Sequence, residues 1–481
     1  GASEPDFKWR GRELEISLGE QLRSDRTYVV TVGSESSDEW RNRMATSYSF
    51  AFATGESLNW GEIVSRVYDP EGPLKGEVYV WAYDVEAGAD PHPVRETPAY
   101  VTQPSTDGEF RFLRLGPGRY RIFAFEDSDR DRSYTPGTDR LAVPPADVAL
   151  PPEGDRIRLG PLRLALRDTI PPKFQSARTP DRRHVLLRFD EPVRPPPLVQ
   201  IIGPGPLQIA AVYVDGEDAS QVWLATGPQA KKASYRVVLE GFEDSSGNRI
   251  PTGVDAEVSG DGEPDGREPS LVSFFPPPDA GFVAPDAHLV MSFSDAMKLE
   301  IEFNFWIASD STIVPDGVFY WPAPNRLQFS PSRPWPGGKA VRLMGRATQL
   351  SDLSGNHPTQ MANFRFTVMD SAALGEISGR IDPVDARVVV QAWRLSGQAG
   401  VYETGVAPGD SSYTLAWLPP DTYAVSGFLD LDGDSEWTPG MVQPFVPAEP
   451  LSQTLDTLEV RARWATISEK RFSFIQTGSL E

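Results

Sequence analysis

Apolar residues along this chain fall in short runs such as VYVWAY at 78–83, YRVVL at 235–239, HLVMSF at 288–293 and RVVVQAW at 387–393. Pro, Gly, Asp and Asn bound each run. The runs are rich in β-branched and aromatic residues. No stretch keeps a helical apolar period over twelve residues, so the pattern predicts short strands. The 46 prolines and 41 glycines supply turn signals between them. Short strands punctuated in this way predict an all-β chain, a tandem array of antiparallel β-sandwich domains. No run of eighteen apolar residues occurs, so the sequence predicts no transmembrane helix.

Internal repeats give the domain order. FEDSDRDRSYTPG at 125–137 and FLDLDGDSEWTPG at 428–440 align without a gap. Upstream of them Phe110, Phe112, Leu115, Pro117 and Tyr120 match Tyr413, Leu415, Leu418, Pro420 and Tyr423 at the same offset of 303. GEIVSRV at 61–67 likewise resembles GEISGRI at 375–381. Two copies of one unit, B, are therefore expected at 57–166 and 371–465. A second repeat, A, pairs LRFDEPV at 187–193 with MSFSDAM at 291–297, and the D-x-x-G-N turn at Asp244–Asn248 with that at Asp352–Asn356. Full A units are expected at 167–258 and 269–370. In such a turn Asp caps its own backbone, while Gly and Asn tolerate positive φ.

A weaker version of the A turn, with Asp38 and Asn42 but Arg41 in place of glycine, opens the chain. Residues 1–56 thus read as the second half of an A sandwich, whose strands are expected to pack on the next unit or to pair with another chain. DTIPP at 168–172 reads as a stiff hinge. SGDGEPDGRE at 259–268, which has no apolar residue, reads as a flexible acidic linker. Residues 466–481 read as a tail, its end from Gln476 as an appended remnant.

Charge and composition narrow the function classes. The net charge of −22 argues against nucleic acid, which needs basic patches to neutralise phosphate. Only eight of the 46 basic residues are lysine. That bias fits a GC-rich genome or a halophilic or thermophilic habit. With no cysteine, disulfides, thiolate metal sites and cysteine nucleophiles are excluded. The four histidines, His92, His184, His288 and His357, show no zinc-type spacing and read as solvated loop or edge residues. No P-loop, G-x-S-x-G elbow or G-x-G-x-x-G occurs.

Two constellations remain as candidate sites. Asp127, Asp129 and Asp131, and again Asp430, Asp432 and Asp434, place three carboxylates around one turn, a spacing of hard oxygens that suits Ca²⁺. Neither loop meets the full EF-hand pattern: position six is Arg132 or Ser435, and position twelve is Thr138 or Met441. The alternative is an ion-free acidic turn held by Asx-type hydrogen bonds. Arg130 and Arg132, which could neutralise the first loop, favour it there. Three carboxylates on a polar turn are poor candidates for catalysis, which needs one of them buried. Trp306, Trp321 and Trp335 form the second constellation. They serve either as a sandwich core or as a sugar-stacking surface.

At these residues the chain resembles known families. The A units are similar to the bacterial Ig-like domains of surface-layer proteins, through Pro171–Pro172, Leu187 to Val193, Tyr235 and Asp244 to Asn248. Ala296 replaces a usual proline in the second copy. The B units resemble the transthyretin-like or carboxypeptidase-regulatory-like β-sandwich, through Gly108 to Phe112 and Leu115 to Ile122. Asp421 replaces its turn glycine in the second copy. The combination resembles exported Ig-like proteins of the Bacteroidetes group, often lipoproteins. The resemblance implies a cell-surface or periplasmic, outer-membrane-associated protein without enzymatic activity, structural or adhesive, with a protein or polysaccharide partner at the envelope and a lipid anchor upstream. The alternative is a carbohydrate-binding accessory protein.

Overall fold

The computed structural model describes residues 6–17, 22, 27–32, 36–44, 48–55, 59–69, 72–74, 76–85, 90–166, 168, 170–196, 199–299, 305–309, 312–313, 317–345, 350–358, 364–396, 400–453 and 455–479. Among them the regular structure is strand throughout, apart from one 3₁₀ turn at Ser371–Ala373. The protein is a tandem array of antiparallel sandwiches, as the apolar pattern predicts.

The two regions named B share one topology. In the first, Glu77–Asp84 and Gly118–Asp127 pair at the centre of one sheet. Gly61–Tyr68 pairs with Glu109–Leu115 and, in parallel, with Arg156–Leu159 in the other. In the second, Arg387–Arg394 pairs with Asp421–Asp430. Gly375–Ile381 pairs with Ser412–Leu418 and, in parallel, with Ala465–Phe472. Alternation selects the faces: in Glu109–Leu115, Phe110 and Phe112 point into the core and Arg111 points out. Burying each such phenylalanine contributes about 1.5–3 kcal/mol.

The two full A regions also share a topology. One sheet of the first runs Phe174–Asp181, His184–Phe189, Gln221–Thr226 and Ile209–Val214. Its counterpart runs Leu271–Phe275, Leu289–Phe293, Arg326–Pro331 and Gly317–Ala323. Near the start of the chain, Thr27–Val32 pairs with Tyr48–Ala53 and lies against Glu109–Leu115 of the first B unit. The hairpin Asp6–Arg10 with Glu13–Ser17 is exposed along both strands. At the weak A turn Arg41 takes φ 66°, the left-handed conformation held by Gly247 and Gly355 in the full copies. Asp38 Oδ1 still accepts the Asn42 amide at 2.8 Å there.

Two expectations need correction. The acidic linker 259–268 is folded onto its neighbours. Lys232 N–H donates to Gly260 O at 2.8 Å, Arg182 N–H donates to Glu263 O at 2.9 Å, and the Asp265 side chain is 1% exposed. Its charges have partners on both adjoining A units, which a count of apolar residues does not reveal. The tail is also built in: Thr477–Ser479 adds an antiparallel strand beside Arg156–Leu159 of the first B unit.

The second B unit returns to the first. Trp437, Val442, Phe445 and Ala448 pack on an aromatic face made by Tyr79, Trp81, Tyr83, Phe123 and Phe125. The Arg121 guanidinium lies 3.4 Å from the Phe445 ring centre, and that of Arg163 lies 4.5 Å from Trp437.

Trp335 fills the core of the second A unit at 2% exposure, its ring tilted against Phe329 and edge-on to Phe366, with its Nε1–H donating to Ala287 O at 2.7 Å. Trp335→Ala is expected to destabilise that unit by about 3–5 kcal/mol. Chemical denaturation checks this, with hydrogen exchange at Leu327 and Phe366 localising the loss.

Candidate functional site

The two acidic loops share a backbone plan. Each follows a long central strand, Gly118–Asp127 or Asp421–Asp430. The first aspartate turns back on the loop: Asp127 Oδ1 accepts the Arg130 amide at 2.7 Å, and Asp430 Oδ1 accepts the Gly433 amide at 2.8 Å. The third aspartate caps the next residues, with Asp131 accepting from Ser133 N–H and Asp434 from Glu436 N–H, both at 2.7 Å. Left-handed backbone occurs at matching places, φ 66° and 62° at Arg130 and Arg132, 82° and 68° at Gly433 and Ser435. Position six therefore adopts the conformation that usually selects glycine, although neither copy has glycine there. Arg130 and Arg132 are exposed and serve Asp127 through their backbone amides.

Each loop is closed by a further carboxylate that the motif does not contain. Asp139 accepts from Ser128 N–H at 2.8 Å and from Thr135 N–H at 2.9 Å. Glu449 accepts from the equivalent amides, Leu431 at 2.6 Å and Thr438 at 3.0 Å. The clamps stand four and eleven residues beyond their threonines, so the repeat alignment does not pair them. Burial raises the Glu449 pKa above its ordinary value, and the nearby charges of Asp432 and Asp430 add to that. Asp127 is raised too, by burial first and also by the charge of Asp139, against its backbone hydrogen bonds.

Hard-cation chemistry is therefore available in two forms. One oxygen each of Asp430, Asp432 and Asp434 lies within 4.8 Å of the others. In the first loop the set with that spacing is Asp127, Asp129 and Asp139, with Asp139 where the sequence reading placed Asp131. The Asp131 carboxylate turns instead to the Ser133 amide.

Of the three tryptophans, Trp335 is excluded from a sugar platform. Trp335 is buried in the core, so neither ring face is open for stacking. Trp321 is half-buried against Phe293, ring centres 5.9 Å apart, with its Nε1 enclosed and unbonded. The backbone of Trp306 pairs with Met344, and its side chain lies outside the described residues.

A site the sequence did not single out lies between the two A units. His184, read as a solvated loop or edge residue, is buried there. Its Nδ1 lies 2.9 Å from Asp181 Oδ2, and its Nε2 3.5 Å from Asp295 Oδ1, across the junction. Tyr213 O–H donates to Asp295 Oδ1 at 2.8 Å, and Arg267 lies 3.3 Å from Asp295 Oδ2 and 4.2 Å over Trp223. Burial opposes charge on His184, but hydrogen bonds and the charges of Asp181 and Asp295 outweigh it, pushing its pKa up to about 9. A lone histidine 111 residues before its cross-junction partner carries no sequence signature.

No protein-family model matches the chain, and no curated protein matches it. Among solved structures, the N-terminal part of the bacterial S-layer protein SbsC is similar at 14% identity and a TM-score of 0.18, over 42% of this chain and 45% of that one. This chain thus spans less than half of that S-layer chain. L,D-transpeptidase 1 of Mycobacterium tuberculosis is 12% identical, TM-score 0.18, over 30% of this chain and 80% of that one. The chicken CNTN1 FN1–FN3 domains are 12% identical, TM-score 0.15, over 60% of this chain and 99% of that one. Likeness at this level assigns neither family nor activity.

Two outcomes are expected. Glu449→Ala leaves the Leu431 and Thr438 amides without an acceptor, which costs about 1–3 kcal/mol. Faster hydrogen exchange at those two amides, with Ser128 and Thr135 unchanged, checks it. In metal-free buffer the junction is fully held below the unfolded histidine pKa of about 6.5 and loosens as pH rises through about 9. Thermal unfolding between pH 6 and 10 reads this, and His184→Gln flattens the profile.

Proposed function

We propose that this chain is a non-enzymatic, exported structural or adhesive protein of the cell envelope, whose acidic loops are architectural elements that take up Ca²⁺. One observation carries the reading: the second acidic loop runs directly into the segment that docks the second B unit on the first. Trp437 lies at once in that loop and against the aromatic face, and its Nε1–H donates to Glu449 O at 3.0 Å. The carboxylates of both loops face backbone amides, a use that shapes a turn and needs no substrate. The motif resemblances of the A and B units support an envelope location and a protein or polysaccharide partner there.

Calcium would be held by Asp430, Asp432 and Asp434, and by Asp127, Asp129 and Asp139. Dissociation constants of about 10⁻⁴–10⁻³ M are expected, since neither loop supplies the bidentate glutamate of a tight site. Calorimetry on the wild type and Asp432→Asn reads the second loop, and identical heats would refute a site there. Fractionation of producing cells is expected to recover the protein in the envelope or periplasm, and cytosolic recovery overturns that location. A glycan array separates the carbohydrate-binding alternative, which requires binding that Trp321→Ala abolishes.

A further inference from the structure

The two B units use the same sheet face differently. On the first, the outward pairs of the central strands are Tyr79 with Phe125, Trp81 with Phe123 and Tyr83 with Arg121. Its aromatic residues are buried under Trp437, Val442, Phe445 and Ala448. On the second, the equivalent pairs are Val389 with Phe428, Gln391 with Ser426 and Trp393 with Ala424. Val389 and Phe428 meet Leu451, Tyr68 and Trp437. Beyond them the face opens into a cleft of about 420 Å³, within the usual ligand-site range of about 300–1,000 Å³. A face that protein covers carries aromatic pairs, as the first unit shows. Here an amide and a hydroxyl stand where the first unit has Trp81 and Phe123, yet one indole, Trp393, remains beside them.

Trp393 is half-buried, and its strand neighbours Val401 and Ala424 are too small to cover an indole. Beside it, Gln391 Nε2–H donates to Glu403 Oε2 at 3.2 Å, which holds an amide and a carboxylate together on the sheet surface. The facing wall is the second acidic loop, through Asp434, Ser435, Glu436 and Trp437. Arg163 of the first B unit completes the lining, 4.5 Å over Trp437. Val401, Glu403, Asp434 and Glu436 are exposed, so the rim is open and admits a chain.

The lining narrows the ligand. The carboxylates of Glu403, Asp434 and Glu436 outnumber the guanidinium groups of Arg163 and Arg194, the latter 3.9 Å from Glu436, so an anion is repelled. A cation would engage the carboxylates but leave the donors on Gln391, Ser435 and Arg163 without acceptors. An apolar ligand would desolvate all of them without repayment. A neutral sugar answers each group. Its hydroxyls both donate and accept, and the C–H face of a pyranose ring stacks on an indole.

We propose that this cleft binds a neutral polysaccharide, with one sugar ring on Trp393 and hydroxyls on Gln391, Glu403 and Arg163. The site rests on the envelope reading, to which it supplies the polysaccharide partner. Trp393 and Gln391 stand on the sheet, outside the acidic loop, so substituting them leaves calcium uptake by the loop unchanged.

Affinity electrophoresis of the full chain tests this, in gels cast with hydroxyethyl cellulose, galactomannan, arabinoxylan, dextran or pullulan. Retarded migration in at least one gel is expected, and high salt should not diminish it. Trp393→Ala should weaken that binding at least about tenfold, and Trp321→Ala should leave it unchanged. Gln391→Ala, which keeps the indole, should weaken it too and provides the comparison should Trp393→Ala not fold. Retardation in none of the gels, or retardation that Trp393→Ala and Gln391→Ala retain, overturns the proposal. So does binding that high salt abolishes, or binding of oligolysine through Trp393 in place of sugar. Retardation lost with Trp321→Ala alone also overturns it, by moving the sugar to the second A unit. Recovery of the protein from the envelope is a separate measurement, so the location and the cleft can fail independently.

Discussion

A carboxylate removed from water must be met by donors or by opposite charge. In this chain that requirement is satisfied mostly at turns, by backbone amides. Asp38, Asp244 and Asp352 each turn onto the asparagine four residues on. Asp127 and Asp430 do the same over three residues, and Asp139 and Glu449 close the loops from farther away. Asp127 and Asp430 end their strands, and Asp38, Asp244 and Asp352 shape turns a few residues beyond theirs. The acidity of the chain is thus partly structural: the turns that orient the sandwiches consume it, and elsewhere buried carboxylates are met by arginines, as Asp69 and Glu126 are by Arg140, or by His184 at the junction between the A units.

Assembly of the units follows a second logic. The A–A junction is polar and centred on His184, with a small apolar patch of Leu186, Tyr213, Trp223 and Ala296 beside it. The B–B contact is aromatic, with arginines over rings. A polar junction holds geometry through specific partners and responds to proton and ion concentration, whereas an aromatic face responds chiefly to burial. The chain therefore carries one contact sensitive to its medium and one that is much less so.

Much of the fold was legible. Period-two alternation marks the strands, and the gapless offset of 303 carries through to the structure: Glu109–Leu115 and Gly118–Asp127 recur as Ser412–Leu418 and Asp421–Asp430. What escaped has physical reasons. Asp139 and Glu449 perform one task from unaligned positions, because a clamp needs its carboxylate in place and not at a fixed separation. The linker looked flexible because charge without apolar residues usually is. Here Asp265 and Arg267 have partners more than twenty residues away on both sides. Arg41, Arg132 and Ser435 occupy backbone that sequence rules reserve for glycine, at a strain the surrounding hydrogen bonds absorb. Trp335 could serve as core or surface by composition, and burial decides for core.

The strand Thr477–Ser479 covers the edge at Arg156–Leu159, a pairing across more than three hundred residues of chain. During synthesis, the first B unit can gather its core long before that strand exists. Its sheet then presents an open edge, with unpaired amides and carbonyls, while both A units and the second B unit are made. An open edge accepts any extended segment that reaches it, including the same segment of a neighbouring nascent chain. The built-in tail therefore acts as an internal competitor for that edge. In chain order that competitor follows both A units and the second B unit.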